Sequence, residues 1–134
     1  MTLEAKDREE LIKYRIVRAK DAINDVQFLI ENKKLTLAVN RIYYGIFYIL
    51  SALALKHKFI TSKHSQLLGW FNKTFVKKGI IDKKYGRFIH EAYDKRSKGD
   101  YDDFVTFAKD EVKEMFKNMK DLISRIELLI LSDK

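Results

Sequence analysis

The chain has 134 residues, no cysteine, no proline and a formal net charge of +8. Its length is sufficient for one domain with its own core. The lack of cysteine excludes disulfides and thiolate chemistry and, with only three histidines, argues against a structural zinc site. Without proline and with few glycines, long helices are expected rather than many strands. The positive charge favours nucleic acids, nucleotides or acidic proteins as partners, although solubility alone also explains such a charge.

The first predicted helix covers about residues 7–31 and ends at the polar run Asn32-Lys33-Lys34. Its apolar residues alternate spacings of three and four, which places them on one stripe. The stripe consists of Ile12, Ile16, Ala19, Ile23, Val26 and Ile30. The residues before it are charged and lack the apolar core of a signal peptide, so we expect a cytoplasmic protein.

The second predicted helix, about residues 35–57, is apolar nearly all round and rich in aromatic residues. Such a helix must be covered by neighbours on several faces. Its longest apolar stretch, residues 42–55, is too short to span a bilayer, so a core helix is expected and no membrane partner. Gly45 lies in its middle at a cost of about 1 kcal/mol relative to alanine, which close packing would compensate.

Three further helices are predicted, over about residues 63–77, 83–97 and 104–131. Asp82 is expected to cap the fourth helix, and Lys98-Gly99-Asp100 predicts a break before the last one. The chain is therefore predicted to be all-α, a single domain over residues 1–134 built as a five-helix bundle around its apolar second helix.

The most informative polar segment begins at Arg96 and continues through Lys98, Asp100 and Tyr101. A guanidinium offers paired donors to a phosphate, and the intervening glycine allows a backbone to approach a ligand closely. We expect Arg96 and Tyr101 to converge on an open groove that attracts anions. The alternative interpretation is an ordinary helix end with cations, a glycine stop and an aspartate cap.

Arg41, Tyr44 and His64 are the other candidate binding residues. A charged Arg41 within the most apolar helix requires a carboxylate, an interface or an anionic ligand, unless it reaches the surface. Tyr44 is by default a core residue, and His64 lies near the start of the third helix, where it either caps, packs or meets an anion. No spacing typical of a metal site or phosphate loop occurs, so neither metal nor cofactor is expected.

Four segments resemble signatures of prokaryotic HEPN-domain proteins (higher eukaryotes and prokaryotes nucleotide-binding). Residues 40–48 resemble the pattern small-Arg-x-Tyr-Tyr-Ala-x-Phe, and Lys63-His64-Ser65 resembles the Thr-His-Ser/Gly step that follows. Residues 75–79 resemble a Phe-x-Lys-x-Gly element, and residues 96–101 resemble an Arg-x-x-x-Asp-Tyr motif. The four segments occur in the same order and with matching spacing over nearly the whole chain.

The resemblance implies an up-and-down five-helix bundle that is usually a homodimer and often acts with a minimal nucleotidyltransferase, in toxin–antitoxin or nucleotide-handling pairs. Active relatives are metal-independent ribonucleases with an arginine followed four to six residues later by a histidine. Here the corresponding position is Tyr101. Its unperturbed phenol, with a pKa of about 10, is a poor general base. In related systems the partner nucleotidylates a tyrosine near this motif, which makes Tyr101 the candidate by position.

The expected function is therefore binding of a nucleotide or RNA beside a nucleotidyltransferase partner. The residues expected to bind are Arg96, Lys98, Asp100, Tyr101, Arg41, Tyr44 and His64. One alternative is a metal-independent ribonuclease that uses Arg96, with Tyr101 or another atypical group as acid or base. A second alternative is a non-enzymatic protein-interaction module.

Overall fold

A computed structural model describes residues 4–132, and within them the chain forms α-helices and no β-strand. The prediction of an all-α bundle with five α-helices is confirmed. The elements are α1 (Ala5–Glu31), α2 (Leu35–Lys56), α3 (His64–Phe71), a π-helical turn (Asn72–Val76), α4 (Lys83–Tyr101) and α5 (Lys109–Ser132).

Helix α2 lies at the centre and packs directly against α1, α3, α4 and α5. Many of its apolar side chains, including Ile42, Tyr43 and Ile46, are fully buried. Burying one such side chain contributes about 1.5–3 kcal/mol, so this helix organises the core. By length and composition α2 could cross a membrane, but 67% of its apolar 18-residue window is buried inside the bundle. This burial identifies α2 as the core helix predicted from its apolar sequence.

Gly45 marks the point of closest approach between α2 and its neighbours. A Cβ added there would lie 2.3 Å from Met119 Cε of α5 and 3.1 Å from Ala22 Cβ of α1. Three helices therefore meet at this position, and a side chain larger than a hydrogen atom would require Met119 and Ala22 to shift. The predicted compensation of this glycine by close packing is confirmed.

Helix α4 differs from the prediction because it continues through the expected break at Lys98-Gly99-Asp100 and ends at Tyr101. Gly99 does not reverse the chain. A Cβ at Gly99 would lie 3.2 Å from the Phe107 ring and 3.3 Å from Thr36 Cγ2, so the glycine admits these neighbours against the helix. The predicted break was wrong because this close packing, which sequence does not reveal, explains the glycine.

The last helix begins at Lys109, five residues later than the predicted residue 104. The residues before it form a turn in which Asp102 Oδ1 accepts a hydrogen bond from the backbone N–H of Phe104 at 3.0 Å. Asp82 caps α4 as predicted, because its Oδ1 accepts from the backbone N–H of Lys84 at 2.9 Å.

Candidate anion-binding site

Arg96 points from α4 towards α2 and is enclosed by tyrosine rings. Its guanidinium carbon lies 4.7 Å from the ring centroid of Tyr43, 5.3 Å from that of Tyr44 and 5.9 Å from that of Tyr93. The Arg96 side chain is only 11% exposed. Cation–π contacts at such a desolvated position are worth about 2 kcal/mol, so the rings hold the charge in place.

The hydrogen bonds of Arg96 leave part of its donor capacity unused. Arg96 Nη1 donates to Asp100 at 3.2 Å, and Asn40 Nδ2 donates to the same carboxylate at 3.3 Å and 3.4 Å. Arg96 Nε is buried and has no hydrogen-bond partner among residues 4–132. A buried donor left unpaired costs about 1–3 kcal/mol. The cluster is therefore polar, preorganised and incompletely satisfied.

His64, the first residue of α3, joins this cluster through Tyr43. A hydrogen bond of 2.7 Å connects the Tyr43 hydroxyl and His64 Nδ1, and the imidazole stacks on Phe47 at 4.0 Å. Burial, followed by the positive charge of Arg96, lowers the pKa of His64. Burial raises the pKa of Tyr43 to about 12, although Arg96 opposes this shift. At neutral pH the pair is consequently a neutral imidazole and a protonated phenol.

A second guanidinium approaches the same site from α2. The guanidinium carbon of Arg41 lies 5.4 Å from the Tyr44 ring centroid, so this ring contacts both Arg41 and Arg96. Arg41 also lines a cleft of about 290 Å³ together with Asp21 and Asp25. Arg41 nevertheless forms no ion pair within 4.0 Å in the described part of the chain. The site thus contains two incompletely paired cations beside one aromatic ring.

The structure brings together some of the residues proposed from sequence and separates others. Arg41, Tyr44, His64, Arg96 and Asp100 belong to one cluster, which we call the Arg96 cluster together with Asn40, Tyr43 and Tyr93.

Lys98 instead lines a cleft between α4 and the π-helical turn, and Tyr101 is 84% exposed. The expected convergence of Arg96 and Tyr101 was wrong. Five residues apart on one continuous helix, their side chains project about 140° from each other.

Three residues of the cluster were not proposed as binding residues from sequence: Asn40, Tyr43 and Tyr93. Asn40, Tyr43, Tyr44 and Phe47 occupy spacings of three and four on α2, so this polar and aromatic stripe was available as a signal. Tyr93 precedes Arg96 by three residues and lies on the neighbouring turn of α4. No group of three or more His, Asp or Glu suited to a metal ion occurs within residues 4–132.

The fold and the cluster define a class of protein: an all-α bundle whose central helix presents an arginine–tyrosine site suited to anions. The HEPN domain model matches residues 12–129 of the chain. The chain therefore belongs to the HEPN-domain family.

Relatives occur in both bacteria and archaea. A "UPF0332 protein" of Thermotoga maritima is 39% identical over 124 residues, which cover 92% of this chain and 94% of the relative. Two proteins of Methanocaldococcus jannaschii, each named "Putative toxin", are 29% identical over 130 residues and 38% identical over 96 residues. The first of these alignments covers 97% of this chain and 88% of the relative, and the second covers 72% of each.

Proposed function

We propose that the chain is a toxin-like HEPN module that binds the phosphate of a nucleotide or RNA at the Arg96 cluster. Membership of the HEPN family and the names of its archaeal relatives support a toxin-like role. We further propose that the protein acts in the cytoplasm beside a minimal nucleotidyltransferase, whose gene we expect next to this one.

One observation carries the binding proposal. Arg41 and Arg96 both lie within 5.4 Å of the Tyr44 ring, and neither has a full set of acceptors among the described residues. A phosphate offers several charged acceptor oxygens, and its hydrogen bonds to arginine are about twice as strong as neutral ones.

Calorimetric titration with adenosine monophosphate tests this site. Arg96→Gln should weaken binding about 10- to 100-fold, because a hydrogen bond to a charged group contributes about 1.5–3 kcal/mol. Arg125→Gln is the matched control: it removes a guanidinium that donates to the Ile80 carbonyl at 3.2 Å, outside the cluster. Equal affinities of the two variants for adenosine monophosphate would show that the Arg96 cluster is not the binding site.

We also propose a homodimer, formed through the face of α1 and α2 beside Arg41. Large apolar side chains are exposed on this face, namely Tyr14, Val17, Phe28 and Leu37. Phe28, Leu37 and Arg41 line one shallow cleft, which would be covered by a second copy. Light scattering should give a dimer for the natural chain and a monomer for Phe28→Arg. A monomeric natural chain at micromolar concentration would contradict the dimer.

Ribonuclease activity is the second candidate function, and the neutral His64 beside Arg96 favours it. A neutral imidazole can accept the proton of a ribose 2′-hydroxyl, while Arg96 stabilises the negative charge on the attacked phosphate. In this proposal His64 is the base, although it lies at a different place in the sequence from the missing motif histidine. Cleavage of transfer RNA in the presence of a chelator should then disappear in His64→Gln. No cleavage by excess natural protein would reject this activity.

The remaining alternative is a module that only binds another protein. It predicts a tight complex with the product of the neighbouring gene and no affinity for adenosine monophosphate. Co-purification together with the titration above separates this alternative from the first two.

A further inference from the structure

The positive charge of the chain is concentrated in one short segment that does not include Arg96. Residues 73–87 contain six cationic side chains and only one acidic residue, Asp82, so this segment holds +5 of the net +8. The six cations are all exposed: Lys73, Lys77, Lys78, Lys83, Lys84 and Arg87. The π-helical turn and the start of α4 carry these cations, and the packing of the two elements brings them close together on the surface.

Two adjoining clefts of about 670 Å³ and 610 Å³ run between the π-helical turn and α4. They share Asn72, Val76 and Lys83 as lining residues, and together they form what we call the basic groove. Gly86 forms part of its floor: a Cβ there would lie 3.2 Å from Asn72 Oδ1, so the glycine lets α4 approach the turn closely. The groove is therefore a shallow, open channel with cations on both of its sides.

Cations outnumber acidic residues along the basic groove, and most of these cations lack an ion-pair partner within residues 4–132. Its two acidic residues are Glu91, which pairs with Lys95 at 3.3 Å, and Asp94, whose neighbour His90 at 3.4 Å is charged only when protonated. Five other lining cations form no ion pair with any residue in 4–132: Lys73, Lys77, Lys83, Arg87 and Lys98. The groove consequently carries a net positive charge, although the Asp94 carboxylate lies between Arg87 and Lys98 on the same side of α4.

An exposed aromatic ring continues the row of cations along α4. Lys83, Arg87, Lys98 and Tyr101 are spaced at helical intervals along one side of α4, and Tyr101 is 84% exposed. From Lys83 to Tyr101 the helix rises about 27 Å. This length is sufficient for several nucleotides of a single strand. Arg96 projects from nearly the opposite side of α4, so the row is separate from the Arg96 cluster.

We propose that the basic groove binds a single-stranded phosphodiester chain, either RNA or single-stranded DNA, with its phosphates on the lysine row and a base stacked on Tyr101. Cations that follow a backbone and an aromatic platform for bases are the two components of sequence-tolerant strand binding. A lipid surface would require a flat or convex basic face, whereas these cations line both walls of a channel. The proposal does not depend on the Arg96 cluster binding nucleotides.

Fluorescence anisotropy over a range of salt concentrations tests the lysine row, with a labelled oligouridylate and a labelled oligodeoxythymidylate of about 20 nucleotides as probes. Lys83→Gln/Arg87→Gln removes two charges one helical turn apart. This double variant should reduce the slope of log affinity against log salt concentration by about 1.4. If the two proteins bind equally at 1 M salt, the variant therefore binds about 25-fold more weakly at 0.1 M salt. Lys113→Gln/Lys117→Gln on the exposed side of α5 is the matched control and should leave most of the affinity intact.

Tyr101 provides an independent test of base stacking. Tyr101→Ala should weaken binding of both probes about 5- to 150-fold, while Tyr101→Phe, which keeps the ring, should bind as the natural chain does. All these side chains are exposed, so thermal melts should show unchanged folding. Binding of both probes supports the proposal even if their affinities differ, because they differ in the 2′-hydroxyl and in the methyl group of the base.

Three outcomes would overturn the proposal. The first is an equal loss of oligonucleotide affinity in the groove and α5 double variants, and the second is an unchanged affinity in Tyr101→Ala. The third is that the groove double variant loses more affinity for phosphatidylserine vesicles than for either oligonucleotide. Adenosine monophosphate separates this inference from the proposed function. Groove variants should bind it normally, and Arg96→Gln should keep the salt dependence of strand binding. Loss of nucleotide binding alone would therefore leave the basic groove in place.

Discussion

Asp100→Asn isolates the competition between a carboxylate and a ligand for one guanidinium. In the structure Asp100 accepts from Arg96 Nη1 at 3.2 Å and from Asn40. Asparagine keeps the shape of the side chain but removes its negative charge. A phosphate bound to the free side of the Arg96 guanidinium would experience less repulsion in this variant. We therefore expect inorganic phosphate to bind more tightly.

The size of this effect follows from Coulomb's law. A phosphate on the far side of the guanidinium would lie about 6 Å from the carboxylate, where repulsion is about 3 kcal/mol at an effective dielectric constant of 20 and about 0.7 kcal/mol in water. The Asp100 carboxylate is partly exposed, so the lower part of this range applies. About 1 kcal/mol corresponds to roughly fivefold tighter binding. Loss of the ion pair should cost only about 0.3–0.5 kcal/mol of stability.

Calorimetric titration of inorganic phosphate into the natural chain and Asp100→Asn measures the change. Asp103→Asn is the control, because it removes the same charge from an exposed position in the turn before α5. Unchanged or weaker phosphate binding in Asp100→Asn would refute the competition. Weaker binding of adenosine monophosphate with tighter binding of inorganic phosphate would show that Asp100 also contacts the nucleoside part of the ligand.

Two further predictions concern stability. Gly45→Ala should lower the free energy of unfolding by up to about 1 kcal/mol, because α1 must yield where Ala22 Cβ lies 3.1 Å from the added methyl, whereas the flexible end of Met119 can move aside. Gly69→Ala in α3, where nothing lies within 4 Å of the new methyl, should raise the free energy of unfolding by up to about 1 kcal/mol. Urea unfolding measures both variants, and a gain of stability in both would contradict the close packing at Gly45. Because the folded pKa of His64 lies below its ordinary value of 6.5, the unfolded chain binds more protons, so stability should fall as pH drops below 6.5. Denaturant melts at several pH values should show a weaker pH dependence of stability in His64→Phe. NMR titration should show a higher His64 pKa in Arg96→Gln than in the natural chain. A His64 pKa above 6.5 in the natural chain would contradict both expectations.

Local patterns predicted most of the helical framework. The apolar surface all round α2 indicates burial on several faces, and the position of Asp82 marks the start of α4. The end of α4 was not predictable in the same way. In the sequence Gly99 predicts the end of a helix, but in the structure it allows Phe107 and Thr36 to pack closely against α4. These contacts form only when the chain folds, so no local pattern indicates them.

The candidate site was only partly predictable for the same reason. Sequence marks Arg41 as unusual because of the apolar helix around it, and the structure gives it no ion pair among residues 4–132. The enclosure of Arg96 by Tyr43 and Tyr44 joins α4 to α2 across a long stretch of chain. No local spacing indicates that contact. The predicted break after residue 97 placed Tyr101 between two helices, whereas Tyr101 is the last residue of α4.

The central claim is that one phosphate binds to Arg41 and Arg96 together beside Tyr44, and a double-mutant cycle tests it most directly. Adenosine monophosphate is titrated into the natural chain, Arg41→Gln, Arg96→Gln and the double variant. If both guanidiniums hold the same phosphate, the two losses should be coupled by about 0.5–3 kcal/mol. Losses that add to within about 0.3–0.5 kcal/mol, or no loss in either single variant, would contradict the claim.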